Sequence, residues 1–363
     1  MKKLIILLAL IFMVPAPAQA NGVITLTEPS HRQIDGKFFD DSLTNLLMPT
    51  GRLGKLIYNV PPGYRTWNID AALVEEVQAM ANGYKLIDGK DGLGQVIAKQ
   101  WIQSLTAISK FDQIYALPYG NPSGYWIHRL SPHSESYFLT VGAAHLSKFY
   151  GHEIAPLKSY IDFKYFHLTS YQSQAFIDAN SAIQVTSKYM DPIQSETFHL
   201  RSAVLFNQGL DNHWRNLLAK DLVANTQNLS QKIRLAPGKF TISANKQDLP
   251  ITVINDFPSP ANLILNISEI NGRIQAINKI QVKLDGKSRV QVKIPVEVLT
   301  SGDSAIAVGI ANDQGINIGD YVDYPISIRV ISPIATWITY IAAVILFVSA
   351  VIQSVRRLRR RER

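Results

Sequence analysis

The feature that most constrains this chain is residues 334–353 (IATWITYIAAVILFVSAVIQ), an uncharged and mainly apolar run near the C-terminus. At about 1.5 Å per residue it would extend roughly 30 Å as a helix, the thickness of a bilayer's hydrocarbon core. Arg356, Arg357, Arg359, Arg360, Arg361 and Arg363 follow at once. Such a flank predicts one transmembrane helix over 332–354 and a basic cytoplasmic tail over 355–363. At the other end, Lys2 and Lys3 precede an apolar stretch and Ala18-Gln19-Ala20, the pattern of a secretory signal peptide over 1–20. The polypeptide between these ends is therefore expected outside the cell membrane, single-pass, with its C-terminus cytoplasmic and membrane lipid as a partner.

The formal net charge of +8 comes mostly from the two termini. The intervening residues are close to neutral, so no basic patch of the kind that binds nucleic acid is expected. The chain has no cysteine. That removes disulfides, thiolate metal sites and a cysteine nucleophile, and leaves stability to the hydrophobic cores.

From about Lys232 to Val330 short strands follow one another. Val290, Val292, Ile294, Val296 and Val298 alternate with Gln291, Lys293, Pro295 and Glu297. Period-two alternation marks a sheet with one buried face and one wet face. Turn chemistry at Asn271-Gly272, Asp285-Gly286 and Ser301-Gly302-Asp303 separates the runs. An all-β immunoglobulin-like sandwich is expected over 232–331. Pro295 and Pro325 suit edge strands or bulges.

Residues 21–231 read as alternating helix and strand, an extracytoplasmic α/β domain with parallel pairing. Thr66-Trp67-Asn68-Ile69 predicts a strand, and Leu73, Val74, Val77 and Met80 give the following helix an apolar stripe. A second helix is expected over 94–109 with Ile97, Trp101, Ile102 and Leu105 inward, and a strand over 114–119 (IYALPY). Further helices are expected over 136–149 and 211–229, whereas 153–197 has no clean period. The length suits a reduced or irregular TIM-barrel-like domain, with an open α/β sheet as the alternative.

Active sites of parallel α/β folds gather where strands end. Asp70 ends one predicted strand, and Tyr119 and Asn121 follow another. These three, with His128, are the candidate catalytic or ligand-contacting residues. The structural readings are favoured, Asp70 as an N-cap and Asn121-Pro122 as a plain turn. Asp35, Asp40 and Asp41 offer carboxylates, but Asp35-Gly36 also reads as a turn before an acidic helix start. His31, His128, His133, His145, His152, His167, His199 and His213 show no metal-ligand spacing. The glycines of residues 88–94 form neither a phosphate-binding loop nor a dinucleotide fingerprint, and a nucleophile elbow is missing. No cofactor and no metal is expected.

The strings HRQIDGKFFDDSL, WNIDAALVEEVQAMANGY and ALPYGNP, with a sandwich beginning near KFTISANKQDLPITVIND, resemble a family of uncharacterised actinobacterial single-span envelope proteins. Members are often described as putative glycoproteins and are typically encoded near the lipid II flippase. The resemblance implies a place near cell-wall construction and assigns no catalytic residue. The expected function is a binding or scaffold protein of the bacterial cell envelope linked to peptidoglycan biogenesis, with cell-wall glycan or envelope proteins as partners. The alternative is a carbohydrate-active hydrolase or deacetylase.

Overall fold

The computed structural model describes residues 22–60, 62–63, 65–159, 163, 165–329 and 333–359. The expected signal peptide over 1–20 lies outside them. The chain divides into two compact units: residues up to Asn180 with Glu196–Asn225, and Ser181–Ser195 with Thr226 onward.

The first unit carries β1 (Gly22–Leu26), α1 (Ser42–Leu47), α2 (Arg52–Tyr58), β2 (Arg65–Ile69), α3 (Ala71–Ala81), α4 (Gln95–Ser109) and β3 (Gln113–Ala116). There follow α5 (Gly124–Leu130), α6 (Glu135–Tyr150), β4 (Ala155–Pro156), α7 (Ser170–Thr186), α8 (Pro192–Ala203) and α9 (Asn212–Ser230), the last three running into the second unit's residues. The strands form one parallel sheet in the order β1-β2-β3-β4. This corrects the barrel-like expectation. The unit is mainly helical, and its sheet is an open four-stranded ribbon ending in a two-residue strand.

Local sequence explains these elements. β2 places Trp67 and Ile69 inward at period two, both fully buried. α3 buries Leu73, Val74, Val77 and Met80. α4 buries Trp101 and Leu105 as expected, together with Ala98 and Ser109, and leaves Ile97 and Ile102 half-buried. The Trp101 indole N–H anchors that face by donating to the Leu53 carbonyl at 3.3 Å.

The second unit contains β5 (Ile233–Leu235), β6 (Phe240–Ile242), β7 (Lys246–Asn255), β8 (Ala261–Glu269), β9 (Ile274–Ala276), β10 (Lys279–Leu284), β11 (Ser288–Val298), β12 (Gly302–Asn312) and β13 (Asn317–Ile328). They form a five-stranded sheet, β10-β8-β12-β13-β6, and a four-stranded one, β5-β7-β11-β9. Pairing is antiparallel except between β13 and β6. Leu249, Ile251 and Val253 of β7 and Leu263, Leu265 and Ile267 of β8 are buried at period two, as a two-sheet sandwich requires. Pro295 and Pro325 each sit one residue short of where a third strand begins to pair, at Val296 with β9 and at Ile326 with β6. The missing N–H costs least there.

The last helix, α10, runs Pro333–Arg359. Its described side chains are those of residues 337–353, all exposed, Trp337, Leu346 and Phe347 among them. Among the described residues no helix is long and apolar enough to cross a membrane. The transmembrane helix expected over 332–354, and the single-pass membrane class drawn from it, are therefore not supported.

Candidate functional site

The C-terminal ends of β1, β2 and β3 meet at Asp70. Its side chain caps α3 by accepting the Ala72 N–H at 2.9 Å, and the same oxygen accepts the Gly120 N–H at 2.8 Å. The Thr27 hydroxyl approaches the other oxygen at 3.4 Å. One carboxyl thus ties the loop after β1 and the loop after β3 to the start of α3. Gly120 reaches it through a left-handed backbone, φ +75°, in a space where a Cβ would lie 2.7 Å from Val204 Cγ1. Asp70 is fully buried, and burial pushes its pKa up to about 7 against the pull of the two N–H groups. A ligand in solution does not reach it.

A second layer is an internal ion pair. Glu76, buried on α3, takes the Arg201 guanidinium of α8 at 2.6 Å, the His31 backbone N–H at 3.0 Å and the Ser30 hydroxyl. Arg201 is also buried and donates to Ser30 Oγ at 2.7 Å. Every strong group in this layer is met by another, as burial of a charge demands. Burial alone would lower the His31 pKa. The hydrogen bond with Glu28 and the charges of Glu76, Glu28 and Asp40 outweigh it and raise it.

The third layer is partly open. Glu75, next to Glu76 but turned onto another face of α3, accepts the Tyr119 hydroxyl at 2.6 Å and the His145 Nδ1–H. His145 Nε2 lies 3.7 Å from Glu196 of α8. The hydrogen bond with Glu75 raises the His145 pKa over the opposing effect of burial. Burial would raise Glu75, but its bonds with His145 and Tyr119 hold it below the usual carboxylate range. Burial pushes the Tyr119 hydroxyl well above its ordinary value. Tyr137 of α6 stacks on His199 of α8, ring centres 4.8 Å apart and 9° from parallel. Burial and the Glu196 charge raise Tyr137 to about 12, and burial lowers His199. Side-chain exposure rises outward from His145 at 22% to Glu75 at 35% and Glu196 at 46%, so this layer is where the unit's polar groups meet solvent.

The structure thus brings Asp70, Tyr119 and Asn121 to one end of the sheet, with Asn121 buried at φ +42° in the turn after β3. His128 lies elsewhere, exposed on α5, with its Nδ1 3.2 Å from Glu135. Asp35 pairs with Lys37, and Asp40 and Asp41 bind the start of α1 and the Tyr84 hydroxyl. Among the described residues no three His, Asp or Glu side chains are grouped to hold a metal ion. Sequence reading missed Glu75, Glu76, His145, Glu196 and Arg201. Two carboxylates within an apolar stripe, and an arginine between Leu200 and Ala203, were the only local signs.

The chain belongs to a family of unknown function, DUF6049, whose model matches residues 167–362. A domain of unknown function, DUF5121, matches residues 107–214. No curated protein matches the chain. Among solved structures it is similar to Escherichia coli alpha-2-macroglobulin, at 22% identity over 27% of this chain and 6% of that one, TM-score 0.22. It is similar also to the C. elegans MSP family member WR4 (12% identity, 27% and 98% of the chains, TM-score 0.21) and the E. coli chaperone DraB (12%, 27% and 55%, 0.21). Likeness at this level carries no functional weight.

Proposed function

We propose that this chain is a binding protein of the bacterial cell envelope, exposed on the outer side of the cell membrane, whose first unit holds cell-wall glycan. The leader-like residues 1–20 and the resemblance to actinobacterial envelope proteins support the location. The observation that carries the binding role is the division of the strand-end groups. Asp70 and Glu76 are buried and satisfied internally, whereas Glu75, His145, Glu196 and the Tyr137–His199 ring pair meet at a partly open face. Carboxylates and imidazoles beside aromatic rings match the hydroxyls and apolar faces of a saccharide. Nucleic acid is not a partner in this reading.

Co-sedimentation of the full chain with purified cell-wall sacculi tests it. Wild type is expected in the pellet, and Tyr137→Ala with Glu196→Ala in the supernatant. Equal recovery of both in the supernatant contradicts the proposal. One feature favours a second reading, a glycan hydrolase or deacetylase: Glu75 holds His145 by Nδ1 while Nε2 lies 3.7 Å from the Glu196 carboxylate, which sets the imidazole between two carboxylates as a proton carrier can be set. Release of sugar or acetate by wild type, lost in His145→Ala, would put that reading in its place.

A further inference from the structure

The second unit carries an unpaired strand edge with its own recognition pattern. On one side β7 pairs β11 from Ser288 to Glu297, but on the other β9 pairs only Val296, Glu297 and Val298. Among the described residues no strand pairs that side over residues 288–295, about 25 Å of extended backbone. Hydrogen-bond parity identifies the free groups. The Ala236 N–H donates to the Thr252 carbonyl, so even-numbered residues of β7 face β5 and odd-numbered ones face β11. The odd residues Ile251, Val253 and Asn255 stand opposite Val292, Val290 and Ser288, which therefore spend their N–H and C=O groups on β7. Arg289, Gln291 and Lys293 point theirs to the open side. Pro295, with no N–H, closes the row.

Side chains add a code to this edge. Arg289, Gln291 and Lys293 are exposed on the outer face, and Val290 and Val292 are only half-buried on the inner one. The row ends at a cleft of about 570 Å³ whose lining includes Asp248, Gln275, Ile277, Pro295 and Glu297, with Ile277 46% exposed. Lysines and arginines on an edge repel a second identical edge, because pairing would set like charges side by side. They favour instead a strand with carboxylates at those positions. On the inner face an apolar side chain would complete the cover over Val290 and Val292.

We propose that the open edge of β11 binds an extended segment of a partner protein by strand addition, a segment in which acidic residues alternate with apolar ones. Backbone bonds to Arg289, Gln291 and Lys293 hold it, Arg289 and Lys293 select its carboxylates, and its apolar side chains extend the sandwich core. This site is independent of the glycan face of the first unit.

The test uses the full chain and a fluorescent peptide of about eight residues alternating glutamate and valine, read by anisotropy. Saturable binding is expected. N-methylation of alternate backbone nitrogens in the peptide should weaken it about tenfold or more, through lost ladder bonds. A lysine-valine peptide should bind only the Arg289→Glu, Lys293→Glu variant. The proposal is overturned by an absence of saturable binding to the glutamate peptide, by equal binding of the N-methylated peptide, or by equal binding of the lysine peptide to wild type. Self-association of the chain abolished by Arg289→Glu, Lys293→Glu would also overturn it, because it would make a second copy the occupant.

Discussion

Replacing Asp70 by asparagine should change how stability depends on pH more than it changes the fold. The native carboxyl titrates near 7 because it is buried, whereas in the unfolded chain it titrates at an ordinary aspartate value of about 3.9. Between those values the native state keeps a proton that the unfolded state has released. Stability from this group is thus fully present below about pH 4 and is lost as pH rises toward 7, the reverse of a salt-bridged carboxylate. Three units at about 1.4 kcal/mol each bound the loss at roughly 4 kcal/mol. The substituted amide has no proton to lose, and its carbonyl oxygen can still accept from Ala72 and Gly120. Urea unfolding of both proteins from pH 4 to 7.5 should show the variant's stability rising relative to wild type by up to that amount. Taking the difference between the proteins cancels His31, His145 and the other groups that titrate in the same window. Parallel curves would refute the reasoning and show that Asp70 is ionised and solvated in the native state.

Arg201→Met leaves Glu76 buried and uncompensated, and should cost about 3–5 kcal/mol in urea unfolding. The double change Glu76→Met, Arg201→Met should recover most of that loss, whereas additive costs would show that the two side chains do not interact. Gly120→Ala forces a side chain into a left-handed backbone against Val204, and should lower stability by about 1–3 kcal/mol in the same assay. Glu75→Gln removes the largest cause of the raised His145 pKa. The imidazole resonance of His145 should then titrate at lower pH by NMR, and an unchanged midpoint would remove Glu75 as its partner.

How much of this was legible depends on where each element's information lies. The β2 strand and the α3 stripe could be read because Trp67, Ile69, Leu73, Val74, Val77 and Met80 are large and apolar at regular spacing. α7 could not. Its buried line is Gln172, Ala175, Phe176, Ala179, Ala182, Ile183 and Thr186, helical in spacing but mostly small or polar. The α4 stripe was read only in part: Trp101 and Leu105 are buried as expected, but Ala98 and Ser109 complete the buried line while the larger Ile97 and Ile102 are only half-buried. Hydropathy over 334–353 pointed to a span that the described part of α10 does not support. At the site, Asp70 and Tyr119 were found because strand ends are predictable. The charges around them were not, since Arg201 meets Glu76 across 125 positions and His145 meets Glu75 across 70. No local pattern encodes a partner at that separation.

The most direct test of the glycan-binding role is to titrate the full chain with soluble peptidoglycan fragments while following the His145 and His199 imidazole resonances. The account expects both to shift saturably, with the fragments recovered intact. Resonances that stay fixed at every concentration, or fragments recovered cleaved or deacetylated, would contradict it.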